Sequence, residues 1–178
     1  EGVAGSGTPP GAPATAAIPE TPAKPTQLDK YKRFAPVALA IAAMSKYPGT
    51  RVGCVILGQG YEILSSGWNG APRGSSADVD GRLDDRDTRL SWACHAEANA
   101  IANAARSGTA LVGGTLICTL MPCMACAKSI VQAGIVRVLC PEPTESSEYW
   151  HKEFELARSL FAEVGVELHY CDTTGGQE

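Results

Sequence analysis

Two cysteines separated by two residues stand where the sequence predicts the start of a helix. Cys123 and Cys126 lie between Pro122, which is tolerated in a first helical turn, and Gly134, a residue that commonly ends a helix. Two thiolates at this spacing can bind one ion, and zinc prefers sulfur and imidazole ligands. The helix N-terminus also favours the thiolate form. The spacing alone does not decide the chemistry, because redox dithiols and structural zinc sites use it too.

A histidine and a glutamate at the start of the preceding predicted helix extend this pair into a catalytic pattern. His95, Cys123 and Cys126 supply three protein ligands, which leaves a fourth zinc position open for water, as in catalytic zinc sites. Glu97 lies two residues after the histidine, so its carboxylate could reach that water without being a ligand. With Pro122, these residues resemble the H-x-E and P-C-x-x-C signature of zinc-dependent deaminases. We therefore predict zinc as the cofactor, these three ligands, and Glu97 as the catalytic acid and base.

The pattern implies acid–base catalysis by a single carboxylate. In such a site the carboxylate takes a proton from water, the hydroxide attacks C4 of a cytosine ring, and the amino group leaves as ammonia. Taken singly, His95 could be a capping or core histidine, and Glu97 a first-turn acid favoured by the helix dipole. Their joint occurrence with the cysteine pair favours the catalytic interpretation. The remaining cysteines near these motifs are predicted to be buried thiols: Cys54, Cys94, Cys118 and Cys140.

Three segments resemble a known family in the same order along the chain. They are GWNGAPRG from Gly67 to Gly74, CHAEANAI from Cys94 to Ile101, and LMPCMACAKSIVQAGI from Leu120 to Ile135. These segments resemble the deoxycytidylate (dCMP) deaminases of the cytidine-deaminase-like zinc deaminase superfamily. The resemblance implies hydrolytic deamination of dCMP to dUMP with release of ammonia, which supplies thymidylate synthesis. It also implies a homo-oligomer, either a dimer or a hexamer, with dCTP and dTTP as possible effectors.

The same resemblance implies which residues contact the nucleoside. Asn69 is expected to contact the deoxyribose, and the carbonyl group of Ala96 is expected to accept from the cytosine amine. Tyr149 and Trp150 precede the last predicted helix, where they could stack on the base or bound the phosphate. Aromatic residues at such a position also serve simply as packing.

Recognition of the phosphate is expected in the long polar stretch from Trp68 to Leu90, because loops of this length in compact domains are usually functional. Arginine guanidinium groups there could bind a phosphate in bidentate fashion. Arg73, which lies within the GWNGAPRG motif, is predicted to do so. The other arginines of the stretch are expected to pair with its aspartates on a solvated loop: Arg82, Arg86 and Arg89.

Other activities share parts of the pattern. A related nucleotide (dCTP or a C5-modified dCMP), a free nucleoside or a free base are alternative substrates. A deaminase of tRNA also carries HAE and PCxxC motifs, but the net charge of −4 and the absence of a clustered basic stripe argue against a nucleic-acid partner. A non-catalytic zinc protein or a redox dithiol would not need a carboxylate at Glu97.

Composition favours one compact domain outside a membrane. The 178 residues, 44% of them hydrophobic, suffice for a single core, and the apolar runs are too short to span a bilayer. The seven cysteines are an odd number within apolar stretches, which indicates reduced thiols and a cytoplasmic location. Residues 1–28, rich in Ala, Pro and Gly, are expected to form a flexible arm, residues 29–172 the zinc deaminase domain, and residues 173–178 a C-terminal tail.

The order of predicted elements indicates the fold that must position these residues. Apolar spacing predicts helices at about 30–45, 93–106, 122–133 and 154–164, and strands at about 51–57, 61–66, 115–120, 135–139 and 166–170. The first two strands form a hairpin, and strands alternating with helices imply parallel pairing through right-handed crossovers. We therefore predict an α/β fold of three α/β/α layers, with a central five-stranded mixed sheet and helices on both faces.

Overall fold

The computed structural model of the chain describes residues 2, 24–77, 79–144 and 150–173. Within these ranges it contains six helices and five strands. The helices are α1 (Gln27–Lys32), α2 (Ala35–Ala42), α3 (Arg86–Trp92), α4 (Ala96–Ser107), α5 (Met124–Gln132) and α6 (His151–Val164). The strands are β1 (Gly53–Leu57), β2 (Ile63–Trp68), β3 (Thr115–Cys118), β4 (Arg137–Cys140) and β5 (Glu167–Tyr170).

The five strands form one mixed sheet in the order β2-β1-β3-β4-β5. β1 pairs antiparallel with both β2 and β3, and the β3–β4 and β4–β5 pairs are parallel. Each parallel pair is joined by a helix, α5 between β3 and β4 and α6 between β4 and β5. The predicted hairpin and the predicted parallel end of the sheet are therefore both confirmed.

Alternate residues of the strands face two different helical layers. Val55 and Leu57 of β1 pack with Tyr31 and Ala38, on the side of α1 and α2. The intervening residues of the sheet pack with α4, α5 and α6 in a larger core that includes Cys54, Ile56, Leu116, Ala100, Ile130, Phe154 and Phe161. This arrangement confirms the predicted three-layer fold with helices on both faces.

A close approach between β2 and α4 fixes the helix that carries His95 and Glu97. A Cβ atom built on Gly67 would lie 2.5 Å from the carbonyl oxygen of Ala96, so only glycine permits this contact. Polar side chains reinforce it, because Asn99 Nδ2 donates to Trp68 O (2.7 Å) and Asn103 Nδ2 donates to Ser66 O (2.9 Å). The start of α4 is thereby held firmly against the sheet.

Two elements differ from the sequence prediction. The predicted first helix is divided into α1 and α2, because Pro36 has no N–H and its ring would clash with the Lys32 carbonyl group in a continuous helix. The predicted loop of residues 68–90 contains most of α3, whose start is capped by the Asp85 carboxylate accepting from Thr88 N (2.8 Å). No residue of α3 is buried, so this helix left no apolar periodicity in the sequence.

The described ends of the chain lie against the fold. α1 begins at Gln27, within the last two residues of the segment predicted to be an arm. Thr173, the first residue of the predicted tail, is fully buried, and its hydroxyl donates to Cys118 O (2.9 Å). Among the described helices, none has the length and apolar character that a membrane span requires.

Candidate active site

A cavity of about 530 Å³ brings most of the predicted site residues together. Its volume falls in the range of small-molecule binding sites. His95, Glu97 and Cys123 line one part of it, and residues from the segment 47–52, from α3, from the region after β4 and from the start of α6 complete the walls. The cavity is therefore formed where several loops and helix starts meet beyond the ends of the central strands β1, β3 and β4.

The starts of α4 and α5 carry the three predicted metal ligands. His95 is the N-cap residue of α4 and Cys123 is the N-cap residue of α5, with Cys126 in the first turn of α5. The His95 Nδ1 atom lies 3.4 Å from Cys123 Sγ and 3.5 Å from Cys126 Sγ. All three ligand atoms lie within 4.8 Å of one another.

These distances suit a zinc ion. Ligands at ordinary Zn–S and Zn–N bond lengths in a tetrahedron are separated by about 3.6 Å, close to both observed nitrogen–sulfur distances. The donor set of one imidazole and two thiols is also one that zinc prefers. The residues present therefore fit zinc, with three protein ligands from the starts of two packed helices.

The environment of the triad favours a thiolate at Cys123. Hydrogen bonds from Cys126 and from His95 lower the pKa of Cys123 to about 4, although burial acts in the opposite direction. The hydrogen bond with Cys123 raises the pKa of His95 above its ordinary value. A negatively charged sulfur at a helix N-terminus, beside an imidazole, is prepared to bind a cation.

Glu97 lies next to the triad and is almost completely buried, with 4% of its surface exposed. Burial raises the pKa of Glu97 to about 7, although its hydrogen bonds and the nearby His95 partly oppose this effect. One of those hydrogen bonds joins it to Cys126. A carboxyl group with a pKa near neutrality can both accept and donate a proton under physiological conditions.

Asn69 lines the cavity, but its side-chain amide is largely engaged by the protein. Its Oδ1 atom accepts from Ser45 Oγ (2.9 Å) and Val52 N (2.8 Å), and its Nδ2 atom donates to Thr50 O (2.9 Å). These bonds fix the segment that enters β1. One Nδ2 hydrogen atom is left over, so Asn69 can offer a substrate a single donor.

Ala96 and Trp150 also line the cavity. The Ala96 carbonyl oxygen lies beneath Gly67 of β2, whereas the Ala96 N–H, as the first of α4, has no acceptor within the helix. The indole ring of Trp150 meets the His95 ring edge to face, with ring centroids 6.3 Å apart. Tyr149, the other predicted aromatic contact, lies outside the described residues.

Arg73 does not line this cavity. It borders a neighbouring cavity of about 280 Å³, where its Nη2 atom donates to Asn103 Oδ1 (3.0 Å). Asn69 and Tyr47 border both cavities. The structure thus brings together the predicted ligands, Glu97, Asn69, Ala96 and Trp150, and separates Arg73 from them.

Two arginines that the sequence analysis assigned to a solvated loop lie on the wall of the catalytic cavity instead. Arg86 and Arg89 line it together with Leu90 and Ala93. These four positions follow the i, i+3, i+4, i+7 spacing of one helix face. This helical spacing directly before Cys94 could have been found in the sequence. The many aspartates of the stretch instead favoured its interpretation as a solvated loop.

Comparison with known proteins identifies the family. Residues 28–142 match the model of the cytidine and deoxycytidylate deaminase zinc-binding region. The chain is 38% identical over 138 residues to an uncharacterized deaminase in the luxG 3′ region of Aliivibrio fischeri, covering 77% of this chain and 90% of that protein. It is 37% identical over 142 residues to the deoxycytidylate deaminase of Homo sapiens, covering 75% of this chain and 74% of that protein.

A solved structure agrees with this result. The dCMP deaminase of the cyanophage S-TIM5, in its apo form, superposes with a TM-score of 0.62 and 26% identity, covering 80% of this chain and 98% of that one. Because the family model spans more than half of the chain and its zinc-binding region contains the His95, Cys123 and Cys126 cluster, this chain belongs to the cytidine and deoxycytidylate deaminase family and is a zinc-dependent deaminase.

Proposed function

We propose that the enzyme hydrolyses dCMP to dUMP and ammonia. The observation that carries the proposal is the buried Glu97 carboxyl group beside the His95, Cys123 and Cys126 cluster, in a cavity of nucleotide-binding size. The similarity to relatives that are themselves named deoxycytidylate deaminases supports the pyrimidine nucleotide as substrate.

The chain's own residues account for the proton transfers. Zinc held by the triad would supply the Lewis acidity that makes water a nucleophile near neutral pH. In the proposed reaction Glu97 accepts a proton from the attacking water as the new C–O bond forms at C4. Glu97 then delivers this proton to N3, accepts the second proton from the new C4 hydroxyl group and passes it to the amino group, so that the C4–N bond breaks, the C4 carbonyl forms and ammonia leaves. Water is consumed, and one carboxyl group moves every proton.

The pyrimidine nucleoside is proposed to lie between the metal cluster and Trp150. The Ala96 carbonyl group that the resemblance assigns to the cytosine amine lies against Gly67 of β2, so we assign to the base instead the Ala96 N–H, which has no acceptor within the first helical turn. The remaining Nδ2 hydrogen of Asn69 is assigned to the sugar. Trp150, which lies on the cavity wall, is assigned to the outer side of the base.

The partners implied by the resemblance belong to the same proposal. They are a deoxynucleotide substrate, nucleotide effectors of the dCTP and dTTP type, and further copies of the chain in a dimer or a hexamer in the cytoplasm. Light scattering of the purified protein, with and without dCTP and dTTP, tests the oligomer and the effectors independently of catalysis.

A substrate panel tests the activity itself. Purified protein of measured zinc content is incubated in parallel with dCMP, dCTP, deoxycytidine, cytosine and a tRNA anticodon stem, and ammonia release is measured. Turnover dominated by dCMP is the expected result. Turnover of dCTP or of deoxycytidine in preference to dCMP would keep the zinc chemistry and overturn the assigned substrate. Turnover of the tRNA stem alone would overturn the proposal that the substrate is a free nucleotide.

A further inference from the structure

The catalytic cavity has a cationic wall that the sequence motifs do not contain. Arg86 and Arg89 occupy the face of α3 that borders the cavity, with His95 and Glu97 lining the same space. The two arginines are three residues apart, so their side chains leave the helix on the same side. A positive surface therefore faces the same cavity as the metal cluster.

The helix α3 is tied to the rest of the chain at its C-terminal end. Gly70 and Cys94 form an isolated bridge in which Cys94 N donates to Gly70 O (2.8 Å) and Gly70 N donates to Cys94 O (3.1 Å). This bridge closes the base of the segment that contains α3, directly before His95. At its other end, the Asp85 cap defines where the helix begins. The arginine face is consequently oriented by the same residues that lead into the metal site.

Arg89 is held in place by contacts that leave much of its guanidinium group available. Within the described chain, its hydrogen bonds run from Nη1 alone, to Leu83 O (3.1 Å) and Asp84 O (3.5 Å). The group also lies over the ring of Tyr47, 5.6 Å from its centroid. Because a guanidinium carries five N–H donors, Nε and Nη2 can donate to a ligand in the cavity.

The other arginines of the same polar stretch are used differently. Arg82 Nη2 donates to Asp80 Oδ2 (2.6 Å), and its guanidinium carbon lies 4.2 Å from the centroid of the Trp92 ring. Arg73 is bound to Asn103 in the neighbouring cavity. Arg82 therefore has the ion pair with an aspartate that the sequence predicts, whereas Arg89 makes no ion pair within 4.0 Å in the described chain and interacts with Asp85 only at longer range.

We propose that Arg86 and Arg89 bind the 5′-phosphate of the nucleotide substrate and so select nucleotides over nucleosides. The inference rests on the proposed function. Two planar cationic groups on one helix face match a phosphate dianion, which they can bind through paired N–H donors. The carboxylates of the cavity are on other elements: Glu97 is next to the metal cluster and Glu142 follows β4. A nucleotide with its base at Glu97 thus directs its phosphate to α3.

Single substitutions test the assignment against a matched control. Arg86→Ala and Arg89→Ala are expected to lower kcat/KM for dCMP by roughly 10- to 100-fold each, the loss typical of a charged hydrogen-bonded contact. In these variants kcat/KM for deoxycytidine should stay within about twofold of the wild-type kcat/KM, since that substrate has no phosphate. Arg82→Ala, from the same stretch but outside the cavity, should leave both values unchanged. Zinc content and circular dichroism verify that each variant is folded and metal-loaded.

A binding measurement separates this inference from the proposed reaction. Isothermal titration of the zinc-loaded protein with dUMP requires no turnover, so it remains informative even if wild-type protein fails to deaminate dCMP. The dUMP Kd should rise roughly 10- to 100-fold in Arg86→Ala and Arg89→Ala and stay constant in Arg82→Ala. Unchanged dUMP affinity in both variants overturns the inference. An equal loss of kcat/KM for dCMP and for deoxycytidine also overturns the inference, because it shows that the arginines support the structure and do not contact the phosphate. A loss of dUMP affinity confined to Arg73→Ala would show instead that the GWNGAPRG loop binds the phosphate.

Discussion

Two walls of one cavity are built in different ways. The metal wall consists of the starts of α4 and α5, which pack on the sheet through buried contacts such as that of Gly67 with Ala96. The wall formed by α3 has no buried residue and depends on a cap, a two-residue bridge and a ring contact. The groups that change protonation lie in the rigid wall, and the proposed recognition groups lie in the exposed one. Substitutions in the two walls should therefore affect different kinetic constants.

The largest expected effect concerns proton transfer at the metal wall. Glu97→Gln keeps the shape of the side chain but removes the group that exchanges protons, so kcat should fall by roughly 10³-fold or more while zinc stays bound. Ammonia release and metal analysis of the same preparation measure this effect. Cys123→Ala provides the contrast, because it should lose zinc and turnover together. A Glu97→Gln enzyme with normal kcat would remove Glu97 from the reaction.

Stability of the metal wall is expected to depend on the approach of β2 to α4. Gly67→Ala would push a methyl group against the Ala96 carbonyl oxygen, so the free energy of unfolding should drop by about 1 to 3 kcal/mol. Urea denaturation of the zinc-loaded protein measures the loss. Gly70→Ala is the matched control, because a Cβ there meets no atom within 4 Å and the stability should stay constant. Equal stability of the two variants would contradict the close contact.

A smaller effect is expected for the ring that supports Arg89 in the α3 wall. Tyr47→Ala removes the aromatic face beneath the guanidinium group, which should raise KM for dCMP by roughly two- to fivefold with little change in kcat. Tyr47→Phe retains the ring and should behave like the wild type. If KM for deoxycytidine rises by the same factor, the ring contacts the nucleoside directly and does not act through Arg89.

The smallest effect is expected at an ion pair outside both walls. Arg137 Nε donates to Glu167 Oε2 (2.8 Å), and this bond, with help from His169, lowers the pKa of Glu167. The lowered folded-state pKa means that the bond stabilises the fold above the ordinary glutamate pKa and that this contribution disappears as the pH falls through the folded value. Because Glu167 is 54% exposed, Glu167→Gln should cost less than about 1 kcal/mol near neutral pH.

Urea denaturation at neutral and at acidic pH measures the contribution of the Arg137–Glu167 pair to the free energy of unfolding. The difference between wild type and Glu167→Gln should be measurable near neutrality, should shrink as the pH falls below the ordinary glutamate pKa, and should vanish once the carboxylate is protonated in both states. A difference that persists at the low pH would show that the pair does not act through charge.

The sequence alone determined the chemistry of the site, the hairpin and the parallel end of the sheet. His95 and Glu97, and likewise Cys123 and Cys126, are close along the chain, so local helix geometry fixes their relative positions. The alternation of strands and helices similarly restricts the sheet to few topologies. These predictions depend on short-range geometry and on chirality, which the residue types encode directly.

Only the tertiary structure decided which polar groups face the cavity. The sequence contains Arg73, Arg82, Arg86 and Arg89 in one stretch with several aspartates, and the helical spacing of Arg86 and Arg89 does not say which surface that helix face meets. In the folded chain the Gly70–Cys94 bridge holds the segment that follows α3, Arg86 and Arg89 border the cavity of the metal site, and Arg73 meets Asn103 of α4. The direction of an exposed side chain depends on contacts between residues far apart in the chain, and those contacts exist only once the sheet and helices have assembled.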